Sequence, residues 1–359
     1  MVCGRRRPHR GNKKTMTEQK LSVALVTSEQ RGMFTVLVDG RELPATAAGK
    51  LVGEAASRLD FPVVGDDAEV SLHDGGLKAV IHRVLPRRTI LLRKGLDGSG
   101  EAQPLAANID KVFIVMGLDG NYNIARLERV LVAAWDSGAL PVVVLTKKDL
   151  CPAGELEARL AAAVLAAPGA RVLCLSSLTG DGLPEVEAEL AGGARCCFVG
   201  SSGAGKSTLL NRLARREAAQ TGAVREDDAR GRHTTTSRQL YLLPCGGQVI
   251  DTPGIREFGV EYSGEGLAVS FKDIGVLAEG CRFADCLHTG EPGCAVAAAI
   301  EAGTLPAERL ENYHKLRREI ERQELRTDLK KRLEAKRKQK SFGRMVRNID
   351  EEKRRLRGG

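Results

Sequence analysis

One stretch constrains this chain more than any other. Residues 194–200 read ARCCFVG, an apolar run of strand character. They lead directly through Gly200, Ser201, Ser202, Gly203, Ala204, Gly205, Lys206, Ser207 and Thr208 into STLLNRLARR, which has the spacing of an amphipathic helix. A strand, a glycine-rich turn and a helix opening on Lys-Ser make a P-loop. Its glycines let backbone N–H groups curl around phosphate oxygens at a helix N-terminus, Lys206 reaches the outer phosphates, and the Ser207 hydroxyl ligates Mg²⁺. The alternative, a glycine-rich turn that binds nothing, leaves its placement between strand and helix without a reason.

The chain around this loop alternates as such a site requires. KVFIVMG, LPVVVLTK, ARVLCLS, QLYLLP and GQVIDTPG read as strands, and NIARLERVLVAAWDSG, ELEARLAAAVLAA and LPEVEAELA as helices between them. This pattern predicts a parallel, doubly wound sheet over residues 101–265, with ligands at the carboxyl ends of its strands. Upstream, from Gly32 to about Arg93, MFTVLVDG, AEVSLHD, KAVIHRVL and RTILLRK are short β-rich runs between turns. They suit a five-stranded barrel of the OB type, expected over 30–100 behind a basic extension at 1–29. Arg83, Arg87, Arg88, Arg93 and Lys94 on that unit point to nucleic acid or to an ordinary solvated face. From Pro306 the chain turns into charged helix, with Leu310, Tyr313, Leu316, Ile320, Leu325, Leu329 and Leu333 as an imperfect apolar stripe that should pack on the body. A helical domain is expected over 266–340 and a basic tail over 341–359.

The base of the nucleotide is read elsewhere. TKKD (Thr146, Lys147, Lys148, Asp149) ends a strand, and Asp149 can accept hydrogen bonds from both N1–H and the exocyclic amine of guanine, which adenine cannot donate. In LSS at 175–177, a backbone N–H beside Ser176 and Ser177 can meet guanine O6. DTPG at 251–254 closes a strand with Asp251 facing the magnesium, and its Gly254 N–H can track the γ-phosphate. GRHTTT at 231–236 lies between, and Thr235 is assigned to sense Mg²⁺. Farther on, Cys281, Cys286, His288 and Cys294 are spaced C-x4-C-x-H-x5-C. Three thiolates and an imidazole form a closed tetrahedral set of the kind structural zinc uses. Cys196 and Cys197, on the strand before the P-loop, read as small buried hydrophobes.

Ordinary GTPases carry P-loop, switch threonine, DxxG, NKxD and SAx in that order, whereas here TKKD and LSS come first. The chain therefore resembles the circularly permuted GTPases. Its flanking units make it similar to the ribosome small-subunit-dependent GTPase A (RsgA) family from about residue 30 to 330. The likeness includes the PRR turn after the barrel strand, AANID before the first sheet strand, GRHTTT, and EPGCAV in the cysteine cluster. It implies a GTP-hydrolysing factor in late assembly of the small ribosomal subunit: an OB barrel, a permuted GTPase domain and a zinc-containing helical domain. GTP/GDP, Mg²⁺ on Ser207 and Thr235, and one structural Zn²⁺ are the implied cofactors. The implied partners are the small subunit and its rRNA, with no DNA, and the protein would act as a monomer. Two positions depart from common GTPase patterns. Thr146 replaces the usual asparagine, which puts at issue the hydrogen bond tying this loop to the P-loop and implies modest nucleotide affinity. Ile255 stands where Ras-like proteins place a water-orienting glutamine, and His233 resembles the histidine proposed to act instead; its alternative role is packing of the switch.

Charge and length exclude other classes. The 359 residues, 42% hydrophobic, are enough for two or three packed domains, and no apolar run reaches the ~18 residues that span a bilayer. No apolar stretch follows the basic N-terminus as in a secretory signal, so a cytoplasmic, reducing setting is expected, and nine scattered cysteines agree with it. Residues 1–20 carry seven Lys/Arg against one Glu and residues 309–359 nineteen against nine acids, leaving the middle at −7. Basic ends on an acidic body suggest a polyanionic partner. For the first residues the alternatives are a solubilising tail or an overlong start before Met16. The rival functions are a GTP-regulated rRNA-binding module whose hydrolysis is incidental, and an ATP-dependent enzyme using the same P-loop.

Overall fold

The amino-terminal strands close on themselves. In the computed structural model, which describes residues 21–30, 32–94, 102–215, 238–251, 264–325 and 333, these are β1 (Leu21–Gln30), β2 (Met33–Val38), β3 (Arg41–Ala47), then helix α1 (Gly49–Glu54), β4 (Asp67–His73) and β5 (Lys78–Val84). β1 pairs with both β2 and β4, β5 with β4, and β3 runs parallel to β5, so five strands make a ring. Alternating residues such as Val26, Val36, Val70 and Ile81 fill its interior. The strand β1 lies within the stretch expected to be a basic extension. Its LSVALVT alternates with Ala24 and Val26 inward, and it supplies the edge that β2 and β4 both need.

The arginines that suggested nucleic acid are largely committed to the chain itself. Arg87 forks onto Asp66 at 2.7 Å from Nε and from Nη2, and also binds the carbonyls of Leu59 and Phe61. Arg83 pairs with Glu69, and Arg88 with Asp110. The PRR turn is thus a clamp between barrel and sheet.

A hairpin of β6 (Ile90–Lys94) and β7 (Ala102–Ala107) leads into the α/β unit: β8 (Lys111–Gly117), α2 (Ile124–Asp136), β9 (Leu140–Thr146), α3 (Leu156–Ala166), β10 (Arg171–Cys174), α4 (Leu183–Leu190), β11 (Arg195–Val199), α5 (Lys206–Ala214), β12 (Arg238–Leu242) and β13 (Gln248–Asp251). The strands order as β10-β9-β8-β11-β13-β12, parallel except for β12. Because both faces are covered, neighbours alternate between two cores. Phe113 and Phe198 (ring centroids 5.5 Å apart) pack with α5 on one side, while Ile114 and Ile250 face α2 on the other. Cys196 and Cys197 are fully buried in these cores, and burial pushes the Cys196 thiol up to about 12. β12 also pairs with β1, so barrel and sheet form one continuous ladder.

Four helices complete the described chain: α6 (Glu265–Ser270), α7 (Lys272–Ala278), α8 (Ala295–Glu301) and α9, residues 307–325. Leu310, Leu316 and Ile320 of the predicted stripe are buried in the α2-side core, whereas Leu325 and Leu333 are exposed. Arg309 fixes the docking. It is 3% exposed and donates to Glu128 of α2 and to Asp273 of α7, each at 2.6 Å, while its guanidinium lies 4.7 Å over the Phe271 ring. Among the described residues no helix is long and apolar enough to cross a membrane.

Candidate functional site

The carboxyl ends of β8, β9, β10, β11 and β13 converge on the P-loop, as the alternation of elements predicts. Gly200 has φ +153°, and a Cβ there would lie 2.2 Å from the Val115 carbonyl oxygen, so no other residue lets the loop turn this close to β8. Gly205, at φ +92°, caps α5 against Thr146. Ser202 and Thr208 are exposed, Ser201, Gly203 and Ser207 half-buried, and Ala204 buried. Lys206 is buried and its Nζ donates to the carbonyls of Gly200 and Ser201, both at 2.8 Å. Burial holds this ammonium below its usual range, opposed by the Asp251 carboxylate. Burial likewise raises Asp251, opposed by Lys206. This is the juxtaposition that phosphates and a cation require.

The loop after β9 joins the P-loop through the residue whose tether was at issue. Thr146 is buried and its Oγ1 donates to the Ala204 carbonyl at 2.6 Å, so a hydroxyl makes the tie where other sequences use an amide. Lys147 adopts a left-handed φ of +58°, and its Nζ pairs with Asp119 at 2.6 Å. Lys148 pairs with Asp181 at 2.6 Å. Asp149 accepts a 2.5 Å hydrogen bond from Ser176, which brings the TKKD and LSS segments together. Ser177 is held by Arg212 of α5, whose Nε donates to its carbonyl at 2.7 Å. The buried Ser177 hydroxyl has no hydrogen-bond partner among the described residues. A buried polar atom left open beside Asp149 fits a polar ligand edge.

Sequence reasoning missed the third wall. In the loop after β8, Asp119 holds Lys147 and takes the Asn121 N–H at 3.0 Å, while Asn121 Oδ1 accepts from Ser201 of the P-loop at 3.3 Å. Burial raises the Asp119 carboxyl, but these bonds outweigh it and leave it below the usual range. The signal was GLDGNYN, an Asp/Asn/Gly cluster at the carboxyl end of a strand. His233, Thr235, Gly254 and Ile255 lie outside the described residues.

A pocket whose TKKD and LSS loops lie upstream of the P-loop in sequence, with Thr146 tied to that loop in space, has the order of a permuted GTPase. A sequence profile described as RsgA GTPase matches residues 84–261. The small ribosomal subunit biogenesis GTPase RsgA 2 of Lactiplantibacillus plantarum is 45% identical over 89% of this chain and 88% of its own length. RsgA of Syntrophotalea carbinolica is 43% identical over 91% of each. The chain belongs to the RsgA GTPase family. Among solved structures, YjeQ from Thermotoga maritima superposes with a TM-score of 0.63 at 28% identity, covering 84% of this chain and 99% of that one. YloQ, a circularly permuted GTPase, shares the fold at a TM-score of 0.59 and 23% identity, over 85% of this chain and 97% of its own. As in that fold, β8 to β10 precede the P-loop strand of this RsgA chain.

The second site of the RsgA chain lies between α7 and α8. One donor atom each from Cys281, Cys286, His288 and Cys294 lies within 4.8 Å of all the others. Cys281 Sγ is 4.0 Å from Cys294 Sγ and 3.7 Å from His288 Nδ1, and Cys294 Sγ is 3.5 Å from the same nitrogen. A tetrahedral zinc with Zn–S near ~2.3 Å and Zn–N near ~2.0–2.1 Å calls for separations of about 3.8 and 3.6 Å, so the donor set fits. Cys294 caps α8, its sulfur accepting the Ala297 N–H at 3.4 Å. Sequence reasoning also missed Glu291. Its carboxylate accepts the N–H groups of Leu287 at 3.0 Å and Thr289 at 2.7 Å on either side of His288, whose φ is +61°. Backbone N–H donation pulls Glu291 down to about 2.

Proposed function

We propose that this chain is a GTP hydrolase that acts in biogenesis of the small ribosomal subunit, in its late assembly, and whose turnover is raised by that subunit through contact with its rRNA. The observation that carries the reading is the Thr146–Ala204 bond, because a loop suited to guanine held against the P-loop supports one nucleotide bridging both. In this reading Asp149 accepts from the guanine edge, a backbone N–H of 175–177 meets O6, and Lys147 and Lys148 frame the loop. The N–H groups of 200–208 hold the phosphates, and Lys206 moves its ammonium from loop carbonyls to the outer phosphate oxygens. Ser207 and Thr235 would hold Mg²⁺, with Asp251 facing it, and the ion supplies charge neutralisation on those oxygens when bound. Gly254 tracks the γ-phosphate, and His233 positions the attacking water in place of a glutamine. Cys281, Cys286, His288 and Cys294 would hold one structural zinc. The protein works as a cytoplasmic monomer.

Hydrolysis titrated with purified ribosomal subunits tests this. Small subunits should raise turnover by up to the roughly 10³–10⁵-fold that partner-supplied groups reach in other GTPases, large subunits far less, and added salt should erode the effect. His233→Ala should lose most of the stimulated rate and keep its GTP affinity. Equal turnover with and without small subunits would leave a GTP-regulated rRNA-binding module as the better description.

A further inference from the structure

The loop after β10 is fastened from two sides. At its root the Leu175 N–H donates to the Leu145 carbonyl of β9 at 2.8 Å, and the Leu175 carbonyl accepts from the Lys148 N–H at 3.1 Å. Farther along, Arg212 reaches it from α5, the helix that begins at Lys206 of the P-loop. Its Nε donates to the Ser177 carbonyl at 2.7 Å and its Nη2 to the Leu178 carbonyl at 3.0 Å. A guanidinium carries its N–H groups in a rigid planar fork, so one side chain fixes two successive carbonyls together. An arginine in the last turn of a helix also complements the helix dipole, but that attraction needs no second segment to receive the donors. Here both donors point away from α5 onto another loop.

What they hold is the segment that, in the proposed reading, meets guanine O6. Of its three backbone N–H groups, that of Leu175 goes to Leu145 and that of Ser176 to the Asp181 carbonyl at 2.9 Å. The Ser177 N–H has no partner among the described residues. Ser177 is buried, and backbone donors of buried residues are nearly always paired, so an open one marks where an acceptor is to come. The pinned carbonyls of Ser177 and Leu178 fix the two peptide planes that follow this N–H, and with them its direction. A donor aimed in advance binds more tightly than one that must be ordered on binding.

We propose that Arg212 is a positioning residue for guanine recognition, aiming the Ser177 N–H at O6 from the helix that carries the P-loop. The inference rests on the guanine reading and adds to it a residue outside the GTPase motifs. Asp149 comes from the loop after β9, to which Arg212 makes no bond among the described residues. Arg212 therefore acts on the O6 contact and leaves the contact to the exocyclic amine as it is.

Calorimetric titration of the full chain with GDP, 6-thio-GDP and IDP, each with Mg²⁺, separates the two contacts. Sulfur in place of O6 weakens that acceptor, and IDP lacks the exocyclic amine that Asp149 would read. The wild type should prefer GDP over both. In Arg212→Met, which keeps an unbranched apolar stem, GDP should bind up to about tenfold more weakly, the scale of one neutral hydrogen bond. Its preference for GDP over 6-thio-GDP should shrink towards one while its preference over IDP stays. Arg212→Lys keeps the charge but brings one ammonium to two carbonyls, and should fall between. Equal losses for all three nucleotides, or a preference over 6-thio-GDP that both variants retain, overturn the proposal and make Arg212 a brace of the fold. A wild type that prefers GDP over IDP but not over 6-thio-GDP overturns it and leaves the guanine reading standing. A wild type that binds all three alike overturns both.

Discussion

Among the described residues, bonds within the chain join the loops after β8, β9, β10 and β11 at the nucleotide pocket: Thr146 to Ala204, Asn121 to Ser201, Lys147 to Asp119, and Ser176 to Asp149. The Cys/His cluster is also made of loop, but its donors face one another through sulfur contacts of 3.5–4.0 Å, which are weak as hydrogen bonds. Around it Glu291, the cap on α8 and a few backbone bonds, such as Arg282 N–H to the Gly293 carbonyl at 3.0 Å and Cys286 N–H to the Phe283 carbonyl at 3.2 Å, hold the loop. The difference teaches where each site gets its shape. Parallel strands deliver the pocket's loops to one edge and ordinary polar bonds suffice to join them. The loop between α7 and α8 has no such strands, and in the proposed reading a shared metal sets its geometry.

Removing the metal is therefore the harshest way to break the comparison. Structural zinc contributes about 10–16 kcal/mol of apparent free energy in small peptides. Elemental analysis should find about one zinc per chain, lost in the Cys281→Ser/Cys294→Ser double variant. That variant should lose hydrogen-exchange protection across residues 281–301 while β11 and α5 keep theirs. A metal-free wild type with full protection there would show that the lobe is framed like the pocket.

Lys206→Ala should be the reverse case, a chemical loss without a structural one. The side chain's ammonium donates to loop carbonyls. Hydrolysis should fall by at least about 10²–10³, the scale of losing one positioned donor to developing charge, while thermal stability barely moves. Retained turnover would remove the P-loop from the mechanism.

Between the two regions stands Arg309, and Arg309→Ala asks whether they are coupled. It strips the guanidinium from Glu128, which is 1% exposed, as well as from Asp273. Breaking a buried pair from one side costs about 3–5 kcal/mol. Denaturant unfolding should show that loss as an earlier transition of the C-terminal helices, with zinc still bound. A single unshifted transition would mean that apolar packing of Leu316 and Ile320 alone docks the lobe.

Much of this was legible in the sequence because it is periodic or tied to a motif. Strand β11 and helix α5 announce the P-loop, the five parallel strands alternate with helices, and four Cys/His residues that could hold a metal sit close in sequence. What stayed hidden depends on pairs far apart in the chain. Nothing local in Glu128 says that it meets Arg309, 181 residues on. Arg87 looked available to RNA because Asp66, its partner, is chosen by closure of the barrel. β1 was hidden by the charged residues before it, since basic composition drew attention from a clean alternation. Thr146 shows the same limit within a motif: a departure from the usual letter suggested a lost bond, but the backbone brings Ala204 within reach of a shorter side chain.

That bond gives the smallest and sharpest test. Thr146→Val keeps the shape and removes the hydroxyl that reaches the Ala204 carbonyl. A neutral hydrogen bond contributes about 0.5–1.5 kcal/mol, so GDP should bind up to roughly tenfold more weakly, with the melting temperature little changed. Thr146→Ser keeps the hydroxyl and should bind nearly as wild type, although its χ1 is freer than that of a β-branched residue. Thr146→Asn tests the other solution: the longer amide must find the same carbonyl from a Cα placed for threonine, in a spot so close that a Cβ on Gly205 would lie 3.3 Å from the hydroxyl. Weaker GDP binding by the asparagine variant than by wild type would show that this chain's P-loop is set for threonine. Equal binding by all three variants would mean that the strands alone place the two loops and that the tether between them carries no affinity.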